Sequence, residues 1–101
     1  MTNFSVSNCT ALQSVAVNGC SGLTELDLSS NPNISILRLT DTPSLQVLNV
    51  TNCTGLTSTT DQKAIDLSSA GLSDGFEIIV TGTSLTANDI EGWNGLWTLT
   101  N

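Results

Sequence analysis

The chain has 101 residues, of which nine are acidic and two basic, giving a net charge of −7. This is the size of one domain, and with Arg38 and Lys63 as the only cations neither nucleic acid nor an anionic membrane surface is an expected partner, because both require clustered Lys and Arg. No apolar run is long enough to cross a bilayer, and the opening Met1-Thr-Asn-Phe-Ser5 lacks the basic start and apolar stretch of a secretory signal. On these grounds the chain is either cytoplasmic or has had a signal removed upstream.

From the first residues the apolar positions recur every eleven. Leu12, Leu23, Ile34, Leu45 and Leu56 form one register, and Val15, Leu26, Leu37 and Leu48 a second. Val17, Leu28, Leu39 and Val50 form a third, and Cys9, Cys20, Asn31, Thr42 and Cys53 a fourth. Each unit reads L-x-x-L-x-L-x-x-(N/C/T)-x-x, which mixes spacings of two and three and so fits neither one helix nor a lone hairpin. A repeat of this kind predicts a solenoid. Eleven residues are too few to circle a coil, so two units make a turn of 22 with an extended segment on each of two sides.

In chain order the strands are expected at Phe4 to Val6, Val15 to Val17, Leu26 to Leu28, Leu37 to Leu39 and Leu48 to Val50. Strand alternation sends the outer two side chains of each triplet inward and the middle one to solvent. The middle residues Ser5, Ala16, Asp27, Arg38 and Asn49 are small or polar, as that orientation requires. Turns are expected at Asn8, Asn18-Gly19, Ser30 to Asn33, Asp41 to Ser44 and Asn52.

Regular repeats thus cover 1–56. The polar stretch 57–63 breaks the register and is expected to be an inserted loop. Degenerate repeats follow over 64–83, with strands at Ile65 to Leu67 and Ile78 to Val80 and with Ala70 and Thr83 in the inward slot. From Thr86 the period turns helical, with Asp89 completing a capping box and Ile90, Trp93 and Trp97 near one face. Residues 84–101 are therefore expected to form a short helical C-terminal cap over the apolar end of the last coil, closed by a strand at Trp97 to Leu99. The N-terminal coil has no such cover, and self-association through it, or a place inside a longer repeat protein, is expected.

The three cysteines fall in the inward slot and are expected to be buried free thiols. Cys9 and Cys53 would lie two turns apart on one side, about 9–10 Å at strand spacing, beyond disulfide reach. With no histidine and thiols on different sides, four metal ligands do not assemble.

The stretches Leu23-Thr-Glu-Leu-Asp-Leu-Ser-Ser-Asn31 and Leu45-Gln-Val-Leu-Asn-Val-Thr-Asn-Cys53 resemble bacterial leucine-rich repeats, and are most similar to the Bacteroidetes surface and lipoprotein group of BspA-like proteins. The likeness covers residues 1–56 well and 64–83 loosely. It implies a right-handed leucine-rich-repeat coil, secretion or surface display, and binding of a protein or an extended glycan without catalysis. One departure matters: the family's apolar residue two positions after the Asn or Cys is missing here, so strands are expected on both sides of a flattened coil and no helical convex side.

Glu25 and Asp27 share one strand face about 7 Å apart, a spacing open to acid and base work or to Ca²⁺ with Asn49 nearby. A flat strand surface offers no pocket, so a solvated face is the preferred reading. Nucleophilic catalysis would need Lys63 in the absence of His. No enzyme, cofactor or metal is expected. The outward rows are the expected contact surface for a partner, carried by Glu25, Asp27, Val47 and Asn49 on one sheet and Arg38 and Asp66 on the other. Two alternatives stand beside this binding module: a glycan site built on exposed Trp93 and Trp97, and a structural spacer that binds nothing.

Overall fold

The computed structural model describes residues 3–5, 9, 11–59 and 62–101. The expected positions of Met1 and Val6, the turn at Asn8 and part of the 57–63 loop lie outside these.

The chain winds into a β-solenoid of about four turns with two parallel sheets. Strands β1 (Asn3–Ser5), β3 (Glu25–Asp27), β5 (Val47–Asn49), β7 (Glu77–Ile79) and β9 (Thr98–Thr100) form the first, in that order. Strands β2 (Ser14–Asn18), β4 (Ile36–Thr40), β6 (Ile65–Ser69) and β8 (Ile90–Glu91) form the second. Register partners such as Val15 and Leu37, or Leu26 and Leu48, are the equivalent positions of successive turns. Beyond the break in the repeat the partner of Leu37 is Ile65, and β6 carries an irregularity opposite Arg38 and Thr40.

The eleven-residue period sets each corner as well as each strand. Gly19, Ser30, Asp41, Asn52 and Gly82 hold left-handed backbones, with φ of 73°, 61°, 54°, 61° and 77°. At four of them the N–H then reaches the next coil: Gly19 donates to Thr40 O, Ser30 to Thr51 O, Asp41 to Ser69 O and Asn52 to Thr81 O, all at 2.8–3.0 Å. The slot residue follows, and its carbonyl accepts from the N–H three positions on, as in Cys20 to Leu23, Asn31 to Ile34, Thr42 to Leu45 and Cys53 to Leu56. A chain that leaves a strand ladder strands its backbone polar groups. These two bonds per corner re-satisfy them and aim the next Leu inward.

Between the sheets the apolar registers merge into one core in which Leu26, Ile34, Leu37, Leu39, Leu48, Val50, Ile65 and Ile78 are fully buried. The slot supplies the only buried polar residues among those described, Asn31 and Thr42. Asn31 Oδ1 accepts from Cys9 N at 2.8 Å, and Nδ2 donates to Leu28 O at 2.8 Å. In the degenerate repeats Thr83 Oγ1 donates to Val80 O at 2.6 Å, and Ala70 is buried.

Two expectations need correction. The described tail forms no α-helix: Thr86 and Asp89 do make a capping box, but it opens a single 3-10 turn, Ala87–Asp89, that runs into β8. Despite the helical spacing of Ile90, Trp93 and Trp97, Ile90 lies in β8, Gly92 takes a φ of 84°, and both tryptophans fall in the connection to β9. Residues 84–101 are one more coil, ending in β9. No disulfide joins the three cysteines, and they are not equally interior: Cys53 is buried, Cys20 half-buried and Cys9 exposed. Cys53 lies between stacked coils, whereas Cys9 and Cys20 belong to the outermost described coil, which has a neighbour on one side.

Candidate functional site

Parallel in-register stacking turns the outward strand positions into columns. On the first sheet Asn3, Glu25, Val47, Glu77 and Thr98 make one column, and Ser5, Asp27, Asn49, Ile79 and Thr100 the next. On the second, Ala16, Arg38, Asp66 and Glu91 line up. The six expected contact residues therefore fall into two groups on opposite sides of the coil. Glu25, Val47, Asp27 and Asn49 are mutual neighbours on the first sheet. Arg38 and Asp66 are register partners on the second.

The two faces differ in charge. The first carries Glu25, Asp27 and Glu77 and no cation, since Arg38 stands on β4 and Lys63 lies just before β6. On the second, Arg38 Nε and Asp66 Oδ2 are 3.6 Å apart, with Arg38 57% exposed; such a pair is worth about 0–1 kcal/mol. Glu77 Oε2 accepts from Thr100 Oγ1 at 2.7 Å, which ties that carboxylate to the neighbouring column.

Several outward side chains have a local task that the outward pattern alone does not reveal. Asp27 Oδ1 accepts from Ser29 N at 2.9 Å, Asn49 Oδ1 from Thr51 N at 3.0 Å and Thr51 Oγ1 at 2.6 Å, and Asp66 Oδ1 from Ser68 N at 3.0 Å and Ser68 Oγ at 2.7 Å. These are Asx turns that end the strand and start the corner. The signal was present as (D/N)-x-(S/T) in Asp27-Leu-Ser29, Asn49-Val-Thr51 and Asp66-Leu-Ser68. One oxygen of each of Asp27, Asn49 and Asp66 is thus committed to the fold.

Beside the first sheet, before β3, β5 and β7, lies an open groove of about 690 Å³. Thr24, Gln46, Val47, Asp74 and Glu77 are among its walls, so it joins the Glu25–Val47–Glu77 column. Its polar walls and two carboxylates are features that the eleven-residue pattern did not single out, because Ser73 to Gly75 belong to the longer connection before β7.

Family models, curated proteins and solved structures give no match to this chain.

Among the described residues, no three His, Cys, Asp or Glu side chains gather as a metal site, and no helix is long and apolar enough to cross a membrane. Trp97 is 9% exposed; its ring makes edge contacts with Phe76 at 5.3 Å and with Trp93 at 5.7 Å. Trp93 is partly buried against the core. With Trp97 enclosed, the pair offers no two-ring platform for a sugar.

Proposed function

We propose that this chain is a non-catalytic binding module of the leucine-rich-repeat kind, displayed by a secreted or cell-surface bacterial protein, and that its first sheet binds an extended basic segment of a partner protein. The observation that carries the reading is the in-register acidic column Glu25–Val47–Glu77 beside the polar groove. A flat, laterally repeated surface suits an extended chain, and a one-signed face steers an oppositely charged partner. Asn31, with both amide groups bonded at a corner, supports the repeat assignment. The repeats' resemblance supports the location.

The test is selection from a random peptide library displayed on phage, followed by anisotropy titration of the enriched peptides. Enrichment in Lys and Arg is expected, with binding at least tenfold weaker in Glu25→Gln/Glu77→Gln and unchanged in Arg38→Gln. No enrichment over the doubly neutralised variant would leave the spacer reading in its place.

A further inference from the structure

Two Asn-Gly pairs stand in the chain, Asn18-Gly19 and Asn94-Gly95, and one Asp-Gly pair, Asp74-Gly75. Such pairs carry a latent reaction. The backbone N of the glycine can attack the side-chain carbonyl carbon before it, because no Cβ on the second residue hinders the approach. What holds the glycine N–H, and what faces the side-chain oxygen, decide whether it does.

The three pairs are held differently. Gly19 N donates to Thr40 O at 3.0 Å and Gly75 N to Leu96 O at 3.2 Å, so both nitrogens are tied into the stack of coils. Asn18 ends β2, and its backbone is fixed by pairing with β4. Gly95 N has no hydrogen-bond partner among the described residues, and Asn94, Gly95 and Leu96 are all exposed. The Asn94 side chain is folded back on its own corner: Oδ1 accepts from Leu96 N at 3.0 Å, while the Asn94 main-chain O accepts from Trp97 N at 2.9 Å. That Asx ring curls the amide carbon over the peptide to which Gly95 N belongs. It also sets an N–H on the oxygen that turns negative when the carbon is attacked, the task of an oxyanion hole.

We propose that Asn94-Gly95 is a self-modification site, a corner that the fold poises for succinimide formation while it spares Asn18-Gly19 and Asp74-Gly75. Hydroxide takes the Gly95 N proton, the bond from N to Asn94 Cγ forms, and Leu96 N–H holds the oxyanion. The Cγ–Nδ2 bond then breaks, and Nδ2 leaves as ammonia with a proton from water. Water opens the five-membered ring at Cγ to give Asp, or at the Asn94 main-chain carbonyl to give isoaspartate; one water is consumed for each ammonia released. Isoaspartate routes the main chain through Cβ and lengthens it by one carbon just ahead of Trp97 and β9. Trp97 is the sensitive element there. It is 9% exposed and its Nε1 is buried without a partner, so opening the corner gives that N–H the water it lacks.

The test incubates the whole chain in mildly alkaline buffer, folded and in urea, and reads each site by digestion and mass spectrometry as ammonia is lost and NH2 is replaced by OH. In the folded chain Asn94 is expected to convert about tenfold faster than Asn18, and in urea the two are expected to convert alike. The same preference persisting in urea, or Asn18 converting as fast in the folded chain, overturns the proposal. Gly95→Ala has room for its Cβ, with nothing within 4 Å and no left-handed φ. It is expected to slow conversion at position 94 about tenfold, and an unchanged rate overturns attack by that nitrogen. Aged wild-type chain is expected to show red-shifted tryptophan emission, and equally aged Gly95→Ala is not. A shift in both, or in neither while isoaspartate accumulates at position 94, overturns the coupling to Trp97.

Discussion

Cys53 Sγ donates to the carbonyl oxygen of Leu28, one coil away, at 2.9 Å. Asn31 Nδ2 reaches the same oxygen from within its own coil at 2.8 Å. Two slot residues from adjacent coils thus converge on a single backbone acceptor, and the Asn is the stronger partner because it also accepts from Cys9 N. Asn31→Ala takes the amide acceptor from Cys9 N and leaves Leu28 O with only the weak thiol donor of Cys53, so a loss of about 1–3 kcal/mol is expected in urea unfolding. Cys53→Ala removes a weak donor and little volume, and is expected to cost about half as much. Equal losses would mean that the slot is set by packing alone.

Thr42 occupies the same slot one unit on, fully buried, and its hydroxyl has no hydrogen-bond partner. A buried hydroxyl without a partner is a liability of about 1–3 kcal/mol. Thr42→Val keeps the branched shape and removes the hydroxyl. It is expected to raise stability by about 1 kcal/mol, opposite in sign to Asn31→Ala. A destabilised Thr42→Val would show that the hydroxyl has a partner in solution, such as water.

This contrast marks how far the sequence is legible. Periodicity placed Asn31, Thr42 and Cys53 in one register and the strands on two sides, because every coil meets the same neighbours and must bury the same positions. It misjudged Cys9, since a register describes a coil stacked on both faces and Cys9 sits on a coil stacked on one. The tail misled for another reason: Ile90, Trp93 and Trp97 have helical spacing, yet Gly92 and the coil beneath decide the backbone. At the candidate surface the outward rows were readable from alternation. The groove was not, being made by a connection between units, and the corner roles of Asp27 and Asn49 required noticing the hydroxyl residue two positions on.

The left-handed corner predicts a graded response to added Cβ atoms. At Gly19 a Cβ would meet nothing within 4 Å, so Gly19→Ala carries backbone strain alone, about 1–2 kcal/mol. At Gly82 the Cβ would land on the Asn52 side chain. Gly82→Ala is therefore expected to unfold at a lower temperature than Gly19→Ala, and Gly82→Ala/Asn52→Gly to recover part of the difference by making room. Thermal melts followed by circular dichroism separate the three, and no recovery in the double variant would rule out the contact with Asn52.

Burial raises the Cys53 thiol above its ordinary pKa, with Asp27 adding to the rise and a backbone hydrogen bond involving Asn31 opposing it. A thiolate is the reacting form, so Cys53 is expected to resist alkylation at pH 8 until the coil unfolds. Cys9 is exposed and is expected to react first. Mass spectrometry of iodoacetamide-treated chain reads the order directly, and early labelling of Cys53 would mean that its coil opens well below global unfolding.

Asp66 has its carboxyl held below the ordinary value chiefly by the Ser68 hydroxyl; burial opposes this as the next largest effect, and the Ser68 N–H and then Arg38 lower it further. Asp89 is lowered in the same way, first by the Ser58 hydroxyl, which ties the loop after Leu56 to the 3-10 turn, and then by Thr86 N. A depressed folded pKa means that the unfolded chain takes up protons first as pH falls. The stabilisation from these groups is therefore complete above the ordinary Asp value, near 3.8, and disappears as pH drops through the lower folded values. Stability is expected to be flat with respect to these two carboxyls from neutral pH down to about 5 and to decline below about 4. Because the hydroxyl outranks the ion pair, Ser68→Ala is expected to raise the Asp66 pKa more than Arg38→Gln does. Added salt should then mimic Arg38→Gln and not Ser68→Ala, since screening acts on the exposed charge pair and leaves a 2.7 Å hydrogen bond in place. Carboxyl-carbon NMR titrations of the two variants at low and high salt check the ranking, and a larger shift in Arg38→Gln would reverse it.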